Sequence, residues 1–297
     1  MPVRLTVALL ALSAGVVAVA LAALLLHDTP GPVATAAAPV AAAPAPAAAA
    51  PPSFPAPPPG AVVFAREDGP DALAVAVAKS FVQVSVVGQQ GTGVSGLAVT
   101  VNGGRTAPCG PGCYRATTSR PRVVDVRVGG TLWHVRVPTT RDASDLVTRV
   151  DRVWRTLRSL SFSERLGSDA THVVISEWRA VAPNRIAYTI RGGYSAVIVG
   201  TRRWDKAPHG RWLESAQTVP VKHPVPVWQA VADAHVVAET PATLRVTFFD
   251  PRTPAWFEIT VERATMRTLD LRMITTAHFM HERYRSFDAP LSVKPPS

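Results

Sequence analysis

The sequence predicts an α+β protein in which a hydrophobic helix and a spacer precede two β-rich domains. One observation is an amphipathic segment, residues 142–160, whose apolar residues recur at helical spacing without glycine or proline. A second is that short alternating runs, separated by turn residues, fill most of 61–138 and of 161–287. Because a lone amphipathic helix must bury its apolar face, we expect the later strands to form a curved antiparallel half-barrel around it.

The N-terminal segment, residues 5–26, is an uncharged apolar run. As a helix it would span about 33 Å, which is enough to cross a bilayer core. Arg4 precedes the run, so the positive-inside rule predicts that the bulk of the chain lies outside the cytoplasm. A cleaved signal peptide is the alternative, but leucines at 24–26 follow the small residues of any cleavage site. We therefore predict a single-pass membrane anchor, or an uncleaved signal, over residues 1–27.

The next two segments differ sharply in composition. Residues 28–60 consist mainly of proline, alanine, glycine and valine, which predicts an extended linker. Residues 61–139 contain short alternating runs separated by turns such as Asn102-Gly-Gly, which predicts a small Ig-like β-sandwich.

Cys109 and Cys113 are the two cysteines of the chain and lie in a glycine-rich turn. Outside the cytoplasm, two nearby cysteines favour a structural disulfide. A metal or redox site is the alternative, because thiolates are soft ligands. No helix start follows to lower a thiol pKa, so we predict the disulfide.

The second domain, residues 140–297, begins with the helix 142–160. Asp142, Ser144 or Asp145 can cap its start. Its apolar face comprises Leu146, Val147, Val150, Val153, Trp154, Leu157 and Leu160. Strands are predicted to follow as far as residue 287, with a short second helix over 226–235.

Four stretches of the second domain carry a resemblance to a known fold. This order resembles the lipoprotein-carrier (LolA/LppX-like) fold, on the helix running into Leu160–Leu166, the Ala182–Tyr188 strand, the Gly200–Trp204 hairpin with Trp212, and the end Tyr284–Pro296. The resemblance implies a half-barrel that can hold an apolar ligand.

A second resemblance covers about residues 62–296. The stretches that carry it are Gly88–Gly93, Cys109–Tyr114, Arg202–Asp205, Pro254–Phe257 and Thr276–His281. They look like the extracytoplasmic tail of actinobacterial copper-resistance (CopD/YcnJ-like) membrane proteins. This chain has one predicted span in place of the multi-span transport part, so the resemblance implies a copper-linked envelope protein without transport.

The function predicted from these features is non-catalytic binding of a lipid-like ligand in a cavity between helix 142–160 and the concave sheet. The expected lining residues are Trp154, Leu157, Trp178, Tyr188, Phe248 and Trp256. No Gly-x-Ser-x-Gly, His-Glu-x-x-His or Walker motif is present, so we predict no enzyme activity. The chain carries a formal charge of +10, but its arginines are scattered, which argues against nucleic-acid binding.

The alternative function is copper binding by methionine and histidine. Met266, His278 and Met280 are the candidate ligands, because copper outside the cytoplasm favours these side chains. On the predicted strand His278 and Met280 share a face, so a third ligand must come from a neighbour such as Met266. The primary prediction includes no cofactor.

Overall fold

The computed structural model describes residues 54–297 except 120, 218–220, 223, 276 and 277, and these residues belong to one compact unit. The predicted anchor and most of the predicted linker lie outside the described residues. Across the described part, no helix combines the length and apolar character needed to span a membrane.

Residues 62–136 form two antiparallel sheets that share a core, as predicted for a sandwich. One sheet has the order β1-β2-β3-β7-β6, comprising β1 (Val62–Asp68), β2 (Asp71–Val77), β3 (Phe81–Val87), β6 (Ala107–Gly110) and β7 (Cys113–Thr117). The other has the order β5-β4-β8-β9, comprising β4 (Val99–Val101), β5 (Gly104–Arg105), β8 (Val123–Val128) and β9 (Thr131–Arg136). The predicted disulfide between Cys109 and Cys113 is present and closes the turn between β6 and β7.

The predicted central helix is α1 (Ser144–Thr156), and it buries Leu146, Val147, Val150 and Trp154. The N-cap position is Ala143, which offers no capping side chain, so none of the three predicted residues is the N-cap; the Asp142 carboxylate, one residue earlier, accepts hydrogen bonds from the backbone N–H and hydroxyl of Ser144. The helix ends earlier than predicted, because Leu157 is already extended and Leu160 belongs to the next strand.

Twelve antiparallel strands follow or flank α1 in a single open sheet of order β10-β17-β18-β19-β20-β21-β11-β12-β13-β14-β15-β16. Their bounds are β10 (Arg141–Asp142), β11 (Ser159–Gly167), β12 (Val173–Val181), β13 (Arg185–Ile190), β14 (Ser195–Val199), β15 (Arg202–Lys206), β16 (Trp212–Ala216), β17 (Ala232–Glu239), β18 (Thr243–Asp250), β19 (Ala255–Glu262), β20 (Thr268–Thr275) and β21 (His278–Arg285).

The predicted second helix over 226–235 is wrong. The described residues of 221–231 form neither helix nor strand, and β17 begins at Ala232. Pro226 restricts Val225 to extended backbone, and burial alternates from Pro224 to Trp228 as it does in an extended chain. This stretch is called the covering segment below.

The two faces of the twelve-stranded sheet have different neighbours. Trp154 of α1 contacts Tyr284 of β21, whereas Phe279 of the same strand packs among small residues of β1 and β2. Side chains five positions apart on a strand point to opposite faces. We call the face toward α1 the inner face and the face toward the sandwich the outer face.

Candidate functional site

Eight aromatic side chains form a connected layer on the inner face. The ring centroids of successive contacts lie between 4.3 Å, for Trp178 and Tyr188, and 6.4 Å, for Trp154 and Trp228. The members are Trp154, Phe162, Trp178, Tyr188, Trp228, Phe248, Phe257 and Tyr284. The layer presents stacked and edge-to-face ring pairs of the kind that stabilise apolar cores and ligand pockets alike.

Helix α1 is fixed to this layer through Trp154. Its indole Nε1 donates a hydrogen bond of 3.0 Å to the buried Thr268 hydroxyl, and its ring meets the Tyr284 ring edge-on at 5.0 Å. A buried indole N–H needs such a partner. The bond therefore sets the position of the helix over β20 and β21.

The covering segment enters the layer through Trp228. Its ring lies 5.5 Å from that of Phe248 and 6.1 Å from that of Phe257. The backbone N–H groups of the next two residues donate to the fully buried Asp250 carboxylate, at 2.7 Å from Gln229 and 3.2 Å from Ala230. One carboxylate thus holds the part of the segment that carries the tryptophan.

Two buried carboxyl groups lie side by side on the same face of the sheet as the rings. Glu164 of β11 and Glu282 of β21 are direct partners across the two strands, and they are 2% and 1% exposed. Glu164 accepts hydrogen bonds from the Ser176 hydroxyl at 2.8 Å and the Trp178 indole at 2.9 Å, while the Tyr284 hydroxyl donates to Glu282. Burial raises the pKa of Glu164, and burial together with the charge of Glu164 raises the pKa of Glu282.

At the far end of the layer a polar group faces the rings. The Tyr188 hydroxyl accepts a hydrogen bond of 3.1 Å from Arg203, whose guanidinium also pairs with Asp205. Burial raises the pKa of Tyr188. This network closes the aromatic layer on the β15 side of the sheet.

The structure brings most of the predicted lining residues together. Trp154, Trp178, Tyr188 and Phe248 belong to the aromatic layer, and Leu157 is buried at the end of α1. Trp256 does not belong to it. It lies on the outer face, stacked on Phe54 at 5.2 Å, because the neighbouring Phe257 takes the inner position on β19.

Sequence reasoning missed half of the layer and both acids. Phe162, Trp228, Phe257 and Tyr284 complete the rings, and none was predicted as a lining residue. The alternation of β11, Leu160–Phe162–Glu164, would have placed Phe162 and Glu164 on one face. The pairing of Glu164 with Glu282 depends on contact between strands far apart in sequence.

The three predicted copper ligands do not meet. His278 and Met280 lie at the start of β21, while Met266 lies in the turn before the opposite end of β20. Measured along β20 from Thr268, the pairing position of His278 is seven residue steps or about 23 Å away, and that of Met280 is five steps or about 17 Å away. In the described part of the chain, no three His, Cys, Asp or Glu side chains are grouped so that they could hold a metal ion.

The fold and this layer define a mainly β protein of open antiparallel sheets with one short described helix. No family model matches the chain, and no curated protein matches it. The chain is similar to a solved DUF1329 family protein from Desulfovibrio piger, at 9% identity and a TM-score of 0.27, over 50% of this chain and 92% of that one. A TM-score of 0.27 is too low to assign the fold or function of that protein to this chain. The copper-resistance resemblance stays a prediction.

Proposed function

We propose that the chain is a non-catalytic binding protein that holds an apolar, lipid-like ligand against the inner face of its twelve-stranded sheet. The observation that carries the proposal is the connected layer of eight rings, to which the covering segment contributes Trp228. With residues 1–27 as the predicted anchor, the ligand would be bound outside the cytoplasm at a membrane surface.

The dimensions of α1 support this proposal. A helix of 13 residues is about 20 Å long and about 10–12 Å wide. Because strands are spaced about 4.8 Å apart, such a helix covers at most about four of the twelve strands. Irregular chain covers other parts, including the segment carrying Trp228, whose ring lies against Phe248 and Phe257.

Binding on this face requires the covering segment to move. Withdrawal of Trp228 would expose Phe248 and Phe257, which are both fully or almost fully buried. Burying about 150–250 Å² of aromatic surface under an acyl chain would then offset the lost ring contacts. A protonated carboxyl of the Glu164–Glu282 pair would give the ligand a hydrogen-bond donor in an otherwise apolar site.

The test is a titration of the purified, delipidated full chain with the fluorescent fatty acid cis-parinaric acid. We expect saturable binding, and binding at least about tenfold tighter for Trp228→Ala, because removal of the ring raises the population of the open state. Trp212→Ala is the matched control, since Trp212 is half-buried on β16 and outside the ring layer. The proposal fails if neither chain binds saturably, or if Trp228→Ala and wild type bind alike.

A further inference from the structure

A cleft lies on the outer face, where the sandwich meets the twelve-stranded sheet. It has a volume of about 260 Å³ and lies between β1, β9 and strands β18 to β20. This is the opposite side of the sheet from the aromatic layer, so the inference below goes beyond the proposed function. At about 30 Å³ per water, the cleft has room for about nine water molecules.

The cleft is positively charged. Arg66, Arg245 and Arg272 line it, against one carboxylate, Glu258. That carboxylate lies 3.9 Å from the Nε of Arg245, at partly exposed side chains where an ion pair is weak. The lining holds three arginines and one glutamate, and the Asp68 carboxylate 3.7 Å from Nη2 of Arg66 offsets a further charge, so an excess of one positive charge remains at the cleft.

Two nitrogen atoms on one edge of the Arg66 guanidinium make no hydrogen bond among the described residues. Its guanidinium lies over the Trp133 ring, 4.9 Å from the centroid, so the ring occupies one flat side of the group. Among the described residues, its buried Nε and Nη2 atoms have no hydrogen-bond partner, and the Asp68 carboxylate is 3.7 Å from Nη2. The Nε and Nη2 hydrogens point the same way and match the two oxygens of a carboxylate.

Thr247 supplies a second unused group in the same cleft. It is 2% exposed, and its hydroxyl has no hydrogen-bond partner within the described part of the chain. A buried hydroxyl without a partner loses its hydrogen bonds to water and gains none in return, so native proteins rarely leave one without a ligand or water. Trp133, Trp256 and Ile274 complete the lining with apolar surface.

We propose that this cleft binds a small carboxylate with an aromatic or short apolar body. Because these polar atoms are buried in the structure, the ligand reaches them as the partly exposed Arg66 side chain turns toward the cleft. The carboxylate then lies on the Nε–Nη2 edge of Arg66 within hydrogen-bond reach of Thr247, in place of the Asp68 carboxylate 3.7 Å away, and the apolar body lies against Trp133 and Trp256. The small volume excludes a whole lipid, and an edge without a hydrogen bond favours a planar, two-oxygen anion.

The experiment is calorimetric titration of the full chain with benzoate, with benzamide as the neutral probe of the same shape and inorganic phosphate as the anion without an apolar body. We expect benzoate to bind about ten- to a hundredfold more tightly than either, and its affinity to fall as NaCl is raised. If phosphate binds as tightly as benzoate, the proposed contact of the apolar body with Trp133 and Trp256 is wrong. If benzoate does not bind, the whole proposal is overturned.

Three variants test the residues. Arg66→Gln should weaken benzoate binding about ten- to a hundredfold, whereas Arg202→Gln should leave it unchanged. Arg202 is the matched control because it lies over Trp204 in the same way, at 4.6 Å, but is already paired with Glu214.

The third variant, Thr247→Val, separates binding from folding. It should weaken benzoate binding about two- to tenfold without lowering the thermal midpoint, because valine has the shape of threonine and no unsatisfied hydroxyl. Unchanged benzoate affinity in both Arg66→Gln and Thr247→Val would place any observed binding elsewhere and refute the assignment.

Discussion

The Glu164–Glu282 pair should make the folded state less stable as the pH rises. In the unfolded chain both groups ionise around their ordinary pKa of 4.5. In the folded chain burial raises both pKa values, so the native state keeps protons that the unfolded state has lost. The stabilisation is therefore fully present below about pH 4.5 and is lost as the pH rises through the raised native pKa values.

The size of the effect follows from proton counting. Each proton bound only by the native state changes the free energy of unfolding by about 1.4 kcal/mol per pH unit. If the pair keeps one proton, the free energy of unfolding falls by about 2.7 kcal/mol between pH 5.5 and 7.5, and by about twice that if it keeps two. Either value is large beside the roughly 5–15 kcal/mol that stabilises a typical domain.

The assay is urea unfolding at pH 5.5, 6.5 and 7.5, comparing wild type with the double variant Glu164→Gln, Glu282→Gln. The difference between the two chains isolates the pair, because His235, whose pKa is lowered by burial, contributes in the opposite direction in both. Glu177→Gln, exposed on β12, is the matched control and should keep the wild-type slope. A wild-type-minus-variant difference that is constant or rises with pH would refute the reasoning.

Three further outcomes can be measured. Replacing both cysteines with serine should lower the free energy of unfolding by about 2 kcal/mol, the loop-entropy value for so short a loop, in a comparison of denaturation midpoints. Trp154→Phe should cost about 1–3 kcal/mol, because it leaves the buried Thr268 hydroxyl without its 3.0 Å donor; a double-mutant cycle with Thr268→Val should recover most of the loss. Asp250→Asn should speed amide hydrogen exchange at Gln229 and Ala230 at least about tenfold, whereas unchanged exchange would mean that the carboxylate does not hold the covering segment.

Local pattern predicted much of this fold. The runs 81–87, 123–128 and 255–262, in which alternating or β-branched residues lie between turn signals, predict strands from local sequence, and the structure has strands with the same bounds. Local sequence did not predict β1 or β17. β1 follows directly on a proline-rich stretch, and β17 is rich in alanine and charged residues, which are depleted in strands.

The site was harder to predict than the strands that build it. Trp256 and Phe257 are adjacent aromatic residues in a strand buried on both faces, so no alternation shows which of them points inward. Taken separately, Glu164 and Glu282 would each be predicted to be an exposed charge. Their burial follows only from the pairing of β11 with β21. Sequence periodicity shows which side chains of a strand point toward the core only where the other face of the strand is polar.

The strand order also has a consequence for how the chain assembles. β11 to β16 form one run of successive hairpins and β17 to β21 another, and the pairing of β11 with β21 joins the two runs. Each run contains contacts between sequence neighbours, whereas this junction brings Ser161 opposite Arg285. Since distant contacts form only after a large loss of chain entropy, we expect the junction to form late in folding. The two acids lie in that junction, so a partly folded chain would expose their carboxyl groups to water until the last strands pair.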